Sequence, residues 1–212
     1  MLGEVALFNK KRNQGKKNLT EVTEEETSQT VAPAVVDLKT VPELNVFDVA
    51  KFCIDRFRAR GGLLDANDLM KALYWIFVVY LVEEGRRCFF TLGFSAASCG
   101  PIIKEINESY IPLYGLAPIE LALDGFKEVD EKTDQKLTTI TNRVLAMCSE
   151  KSALYISRTT HWGDPWIEGY NRKGNEIPLE ELYNFYASPD GINQLKYLGL
   201  LETGKSDSGV AA

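Results

Sequence analysis

Only one histidine, His161, occurs among the 212 residues. An H-E-x-x-H zinc helix is therefore excluded, and any Ser–His or Cys–His catalyst would have to use that single imidazole. The four cysteines, Cys53, Cys88, Cys99 and Cys148, form no C-x-x-C pair. Thioredoxin-like redox motifs and the common zinc knuckles are thus missing. No G-x-G-x-x-G turn is present, and nucleotide binding through a glycine-rich loop is not expected. Gly93-Phe94-Ser95-Ala96-Ala97 begins like a nucleophile elbow but lacks the closing glycine. No apolar run reaches the roughly 18 residues that span a bilayer, and the first residues do not read as a secretory signal. A cytoplasmic protein with no membrane partner is the expectation.

What is present supports a folded domain. Hydrophobic residues make up 45% of the chain and charged residues 25%, enough to surround a core of its own. The formal charge of −6 opposes general affinity for nucleic acid, and no direct sequence-specific nucleic-acid binding is expected. Residues 1–44 read as a flexible tail. The first 20 carry a local charge of +4 and residues 21–43 one of −5, with few aromatics to offset the entropy of ordering.

A mainly α domain is expected from residue 45 to 201. Asn45 reads as an N-cap with Asp48 at N3, followed by Val46, Val49, Ala50, Cys53, Ile54 and Phe57 at helical spacing. Gly61-Gly62 stops that helix. A second helix begins at Asp65 and ends at Gly85. Its stretch from Ala72 to Val82 is free of charge and reads as a central helix, buried on most sides. Phe89–Ser95 reads as a short β-like run. Gly100-Pro101 suits the start of a third helix carrying Ile102, Ile103 and Ile106. Residues 111–130 read as a long connection. Further helices are expected over 133–149, 153–159, 179–186 and 190–200, with Asp164 capping a turn that has Pro165 at N1. Residues 202–212 read as a disordered tail. Cys53 and Cys148 fall on apolar helix faces, as buried free thiols do. The acidic pairs Glu83-Glu84, Asp130-Glu131 and Glu180-Glu181 read as solvated faces, because adjacent residues on a helix point apart.

Ser157-Arg158-Thr159-Thr160-His161-Trp162-Gly163-Asp164-Pro165-Trp166 lies between two expected helices and ahead of an Ile177-Pro178 helix start. This order resembles the signature of the Panacea, or SocA-like, domain family of bacteria, phages and mobile elements. Asn45–Arg58 resembles the family's first helix. Leu69, Lys71, Leu73 and Tyr74 stand at comparable places in its second. Phe94–Tyr110, containing Gly100-Pro101, resembles its Gly-Pro stretch. The likeness covers residues 45 to 187. This chain departs from the pattern in having Ala96-Ala97 and no tryptophan ahead of Gly-Pro.

The resemblance implies a non-catalytic antitoxin that neutralises a cognate toxin by direct protein contact, without a cofactor. The alternative is a phage- or element-encoded accessory protein that binds a host factor, as an adaptor or as an inhibitor of host defence. A third reading is an enzyme using His161. The motif residues are Tyr74, Gly100, Pro101, Tyr110, Thr160, His161, Asp164, Pro165 and Trp166. Their physics favours structure. Gly100 and Pro101 set backbone angles, Asp164 and Pro165 open a helix, and Trp166 combines an apolar body with one donor. His161 is open between clamping a turn, touching a partner and catalysis.

Overall fold

A computed structural model describes residues 38, 40–132, 134–151, 153–161 and 163–201; the side chains of residues 153–155, 157 and 164 also lie outside the described set. Contacts divide the chain between Pro33 and Ala34, and every described residue belongs to the second unit. The expected disordered tail at 202–212, and nearly all of the expected tail at 1–44, lie outside the described residues.

The domain is mainly α. Among the described residues it holds eight helices and one three-stranded sheet. Helix α1 spans Val46–Ala59. Its capping box is complete, with the Asn45 side chain accepting from the Phe47 and Asp48 amides while Asp48 Oδ2 accepts from the Asn45 amide. Helix α2 spans Ala66–Glu84 between an Asp65 cap and Gly85, which takes the left-handed conformation that ends helices (φ 65°). From Leu69 to Leu81 every residue of α2 is buried. Each large aliphatic or phenylalanine side chain so enclosed contributes on the order of 1.5–3 kcal/mol. Helix α2 is therefore the axis of the core, as its uncharged stretch predicts. No helix among the described residues is long and apolar enough to cross a membrane.

The β region differs from the sequence expectation in two ways. Strand β1 is Phe94–Ala97, so only the last two residues of the expected 89–95 run are strand. Before it, Phe90 lies alongside Asn45, its amide bonded to the Leu44 carbonyl and its carbonyl to the Val46 amide. Residues 40–44, grouped above with the tail, are thereby held against the domain. Second, Gly100-Pro101 does not open a helix. Gly100–Ile103 is strand β2, antiparallel to β1 across a two-residue turn at Ser98-Cys99. Proline fits there because Pro101 lies on the sheet edge, where no ladder bond needs its missing N–H.

Helix α3 follows directly from β2 as Lys104–Tyr114, so the long connection begins at Gly115 rather than at 111. Several bonds pin that connection. The Ile119 amide donates to the Leu64 carbonyl, and the Lys127 amide to Asp48 Oδ1 at 2.7 Å. Phe126 stacks on Phe47 at 4.6 Å between ring centres.

Helices α4 (Gln135–Glu150), capped by Asp134, and α5 (Ala153–Thr160) follow close to expectation. In α6 (Asp164–Asn171) the N-cap is Gly163, so Asp164 is the first helical residue and Pro165 the second. The cap is thus one residue earlier than expected. Strand β3 (Glu176–Ile177) pairs with the far side of β1, giving the order β2-β1-β3. Asn175, in left-handed conformation at φ 56°, extends the ladder with its carbonyl and its side chain, both bonded to the Ala96 main chain. Helices α7 (Leu179–Tyr186) and α8 (Pro189–Tyr197) complete the unit. Cys53 is fully buried, and Cys148 keeps partial exposure.

Candidate functional site

The described motif residues gather mostly in one place, the Ser98-Cys99 hairpin and what packs on it. Trp166, half-buried on α6, donates its indole N–H to the Ala97 carbonyl at 3.2 Å. Its ring meets the His161 ring edge-on at 4.2 Å and stacks on Tyr170 at 5.1 Å. Thr160, at the end of α5, is fully buried. Gly100 is held at φ 105°, a conformation that favours glycine. A Cβ there would stand 2.6 Å from Thr160 Oγ1, 3.0 Å from Lys71 Cε and 3.2 Å from Lys71 Nζ. Glycine is thus required twice at this position, by angle and by space.

Lys71 is the functional candidate that sequence reasoning missed. It is 2% exposed, and its ammonium donates to the Pro101 carbonyl at 3.0 Å. That bond satisfies the outward carbonyl of an edge strand covered by α2. Burial pulls the Lys71 amine from 10.5 down to about 8, while Cys99, Asp68 and Asp65 favour its charged form. The signal was available: Lys71 is the only basic residue within α2, the most buried helix.

His161 is half-buried. Burial lowers its pKa, the Lys71 ammonium lowers it further, and a hydrogen bond with the Ser98 main chain opposes both. The imidazole is therefore neutral near pH 7, and its Nε2 is buried without a hydrogen-bond partner.

Tyr74 lies beside this cluster. It is fully buried, with its hydroxyl 3.2 Å from that of Tyr186 and its ring edge-on to Phe94 at 5.7 Å. Burial holds the phenol well above its usual pKa, so it stays protonated. Pro165 is buried; the Asp164 side chain and Trp162 lie outside the described residues. Tyr110 is not part of the site. It joins α3 to α1 and the connection, stacking near Phe47 and Tyr114 and accepting from the Leu123 amide at 3.3 Å.

One pattern runs against the expectation that no glycine-rich nucleotide loop is present. Gly199–Ser206 has the spacing G-x-x-x-x-G-K-S. A phosphate loop needs a strand before it and a helix after it. Here Gly199 follows helix α8 and closes it in a Schellman turn, with its amide on the Lys196 carbonyl and the Leu200 amide on the Leu195 carbonyl. Residues 202–206 lie outside the described set. The spacing alone carries no nucleotide assignment.

A second surface feature lies at the end of α3 and in the connection after it. Leu113, Leu116 and Leu121 are 65%, 72% and 63% exposed, within nine residues of one another. The Tyr114 hydroxyl, bonded to the Leu121 carbonyl at 3.1 Å, folds that stretch back on itself. Leu63, 50% exposed, precedes Leu64, whose carbonyl holds the Ile119 amide. No protein-family model, curated protein or solved structure matches the chain.

Proposed function

We propose that the chain is a non-catalytic protein-binding module of the antitoxin type, which neutralises a cognate toxin by direct contact. The observation that carries the reading is the group of exposed leucines, Leu113, Leu116 and Leu121, close together in sequence, with Leu63 beside the residue that holds Ile119. Clustered exposed apolar side chains are a feature of docking surfaces, whose centres exclude water. The motif residues support the same reading. Gly100, Pro101, Thr160 and Trp166 pack or bond the hairpin, and Tyr74 is closed in the core. The order of those motifs along residues 45–187 resembles the Panacea family, whose members act by binding.

The test is co-expression. A toxin gene encoded beside this chain should arrest growth alone and be silenced by the wild-type chain. Leu116→Asp with Leu121→Asp should lose that protection and leave the melting temperature within about 2 °C, since both side chains are exposed. Protection that survives the double substitution would rule out the leucine surface. A neighbouring gene without toxicity, with a host protein bound instead, would favour the accessory-protein alternative.

A further inference from the structure

We propose that the leucine surface at the end of α3 receives an amphipathic segment of the partner protein, one whose apolar stripe is edged by lysine or arginine. The inference rests on the protein-binding reading above and names the chemistry of that partner. Its first support is how the surface is built. Two tyrosines one turn apart hold the connection alongside α3. The Tyr114 hydroxyl donates to the Leu121 carbonyl at 3.1 Å, and the Tyr110 hydroxyl accepts from the Leu123 amide at 3.3 Å. Leu121 is thereby brought back beside the last turn of α3, which carries Leu113 and leads through Gly115 to Leu116. All three leucines are more than half exposed.

This surface is fixed in place. Tyr110 is buried, and Ile119, also buried, is bonded through its amide to the Leu64 carbonyl. Further along, Phe126 stacks on Phe47 and the Lys127 amide donates to Asp48. A pinned backbone presents its side chains without the entropy cost of ordering a loop on binding.

The second support is independent and electrostatic. From Glu105 to Phe126 the chain has no lysine or arginine, and its carboxylates are Glu105, Glu108, Glu120 and Asp124. Glu105 is bound to Thr91 and Leu92, and Glu108 meets Lys104 at 4.0 Å. Glu120 and Asp124 are exposed and make no ion pair among the described residues. The next base along the chain, Lys127, already meets Glu43 at 3.7 Å. Two unanswered negative charges therefore stand on the same pinned segment as Leu121.

Together these observations select the occupant. The leucines call for an apolar counterpart that excludes water with them, and the carboxylates call for cations at its edge. An acidic segment would meet like charge, and so would nucleic acid or an anionic membrane. A basic segment gains two exposed ion pairs and a faster, salt-sensitive association.

The test uses the full chain at pH 7 and a fluorescently labelled helical peptide of leucine and lysine in amphipathic order. A leucine–glutamate peptide of the same pattern is its twin. Anisotropy is expected to show saturable binding of the leucine–lysine peptide, tighter than its twin by about tenfold or more. Leu116→Asn with Leu121→Asn should weaken it by about tenfold or more, through lost apolar contact. Glu120→Gln with Asp124→Asn should weaken it by about threefold to tenfold and flatten its salt dependence, as the loss of two exposed ion pairs does. Glu168→Gln with Glu180→Gln removes the same charge from α6 and α7 and should leave the affinity unchanged.

Equal binding of the two peptides would overturn the proposal. So would full affinity in both site variants, or a loss in the α6 and α7 control as large as that at Glu120 and Asp124. Preference for the glutamate twin would overturn the choice of a basic partner. If Leu116→Asn with Leu121→Asn does not fold, Leu113→Gln replaces it, and unaltered affinity there counts against the site. Should the peptides bind alike while Leu116→Asp with Leu121→Asp abolishes protection, the basic partner is discarded and the binding reading kept. Should protection survive those substitutions, the binding reading falls, and the peptide titration still decides whether this surface takes a basic segment.

Discussion

Replacing Lys71 with methionine should remove one limb of the stability–pH curve. Burial takes the folded-state amine from 10.5 to about 8. The unfolded chain keeps that proton up to about pH 10.5, while the folded chain releases it near pH 8. Between those values the unfolded chain binds more protons, so stability rises with pH. The penalty is complete below about pH 8 and gone above about pH 10.5. At about 1.4 kcal/mol per pH unit it amounts to about 3 kcal/mol for this nearly enclosed side chain.

Other buried groups work in the opposite direction. Burial raises the pKa values of Tyr74, Cys53 and Cys88, so their contribution is full below the unfolded values of 10.0 and 9.0 and falls progressively as pH rises above them. The readout is therefore the difference between wild type and Lys71→Met, measured by urea denaturation from pH 6.5 to 10.5. At pH 7 methionine relieves about 3 kcal/mol of charge burial, against about 1–3 kcal/mol for leaving the Pro101 carbonyl without its donor. Near pH 10.5 only the second effect persists, and the variant becomes the less stable protein. Two curves that stay parallel within about 0.5 kcal/mol would refute a buried, proton-releasing Lys71.

Four further outcomes test the packing. Gly100→Ala should cost at least about 2 kcal/mol and lower the melting temperature by about 5–10 °C, since its Cβ meets Thr160 Oγ1 at 2.6 Å on a backbone with φ 105°. Gly191→Ala should be more severe, because its Cβ would overlap the Phe185 carbonyl and lie 2.5 Å from Tyr186 Cα, forcing α7 from α8; calorimetry reads the loss. Asp48→Ala removes a buried carboxylate that accepts from the Asn45 and Lys127 amides. It should cost about 3 kcal/mol and quicken tryptic cleavage at Lys127, visible by mass spectrometry. Glu105→Gln weakens the clamp on Thr91 Oγ1 (3.0 Å) and the Leu92 amide, and should raise hydrogen exchange at Leu92 with about 1 kcal/mol lost.

Helix ends were readable because their signals are local. Asn45 with Asp48, Asp65 and Gly85 each act on backbone groups within four residues, so the sequence alone places α1 and α2 and marks α2 as the core axis. Local patterning misplaces the hairpin because its partners are distant. β1 is defined by β2 on one side and by Glu176-Ile177, about 80 residues away, on the other. Pro101 has the local statistics of a helix start, yet Lys71, thirty residues upstream, holds its carbonyl at a strand edge.

The candidate site divides in the same way. Composition and motif order pick out Gly100, Thr160, His161 and Trp166, since glycine, histidine and tryptophan stand out in any pattern. Sequence order also names Tyr110, which the fold carries away to the α1–α3 contact. Lys71 reads as an ordinary helical lysine, because solvent access is a property of the surrounding elements rather than of the residue. Helical character, the helix caps and the set of residues able to do chemistry all follow from local patterning. Which of them meet depends on the packed fold, because burial and convergence arise from α2, the hairpin, α5 and α6 closing around one another.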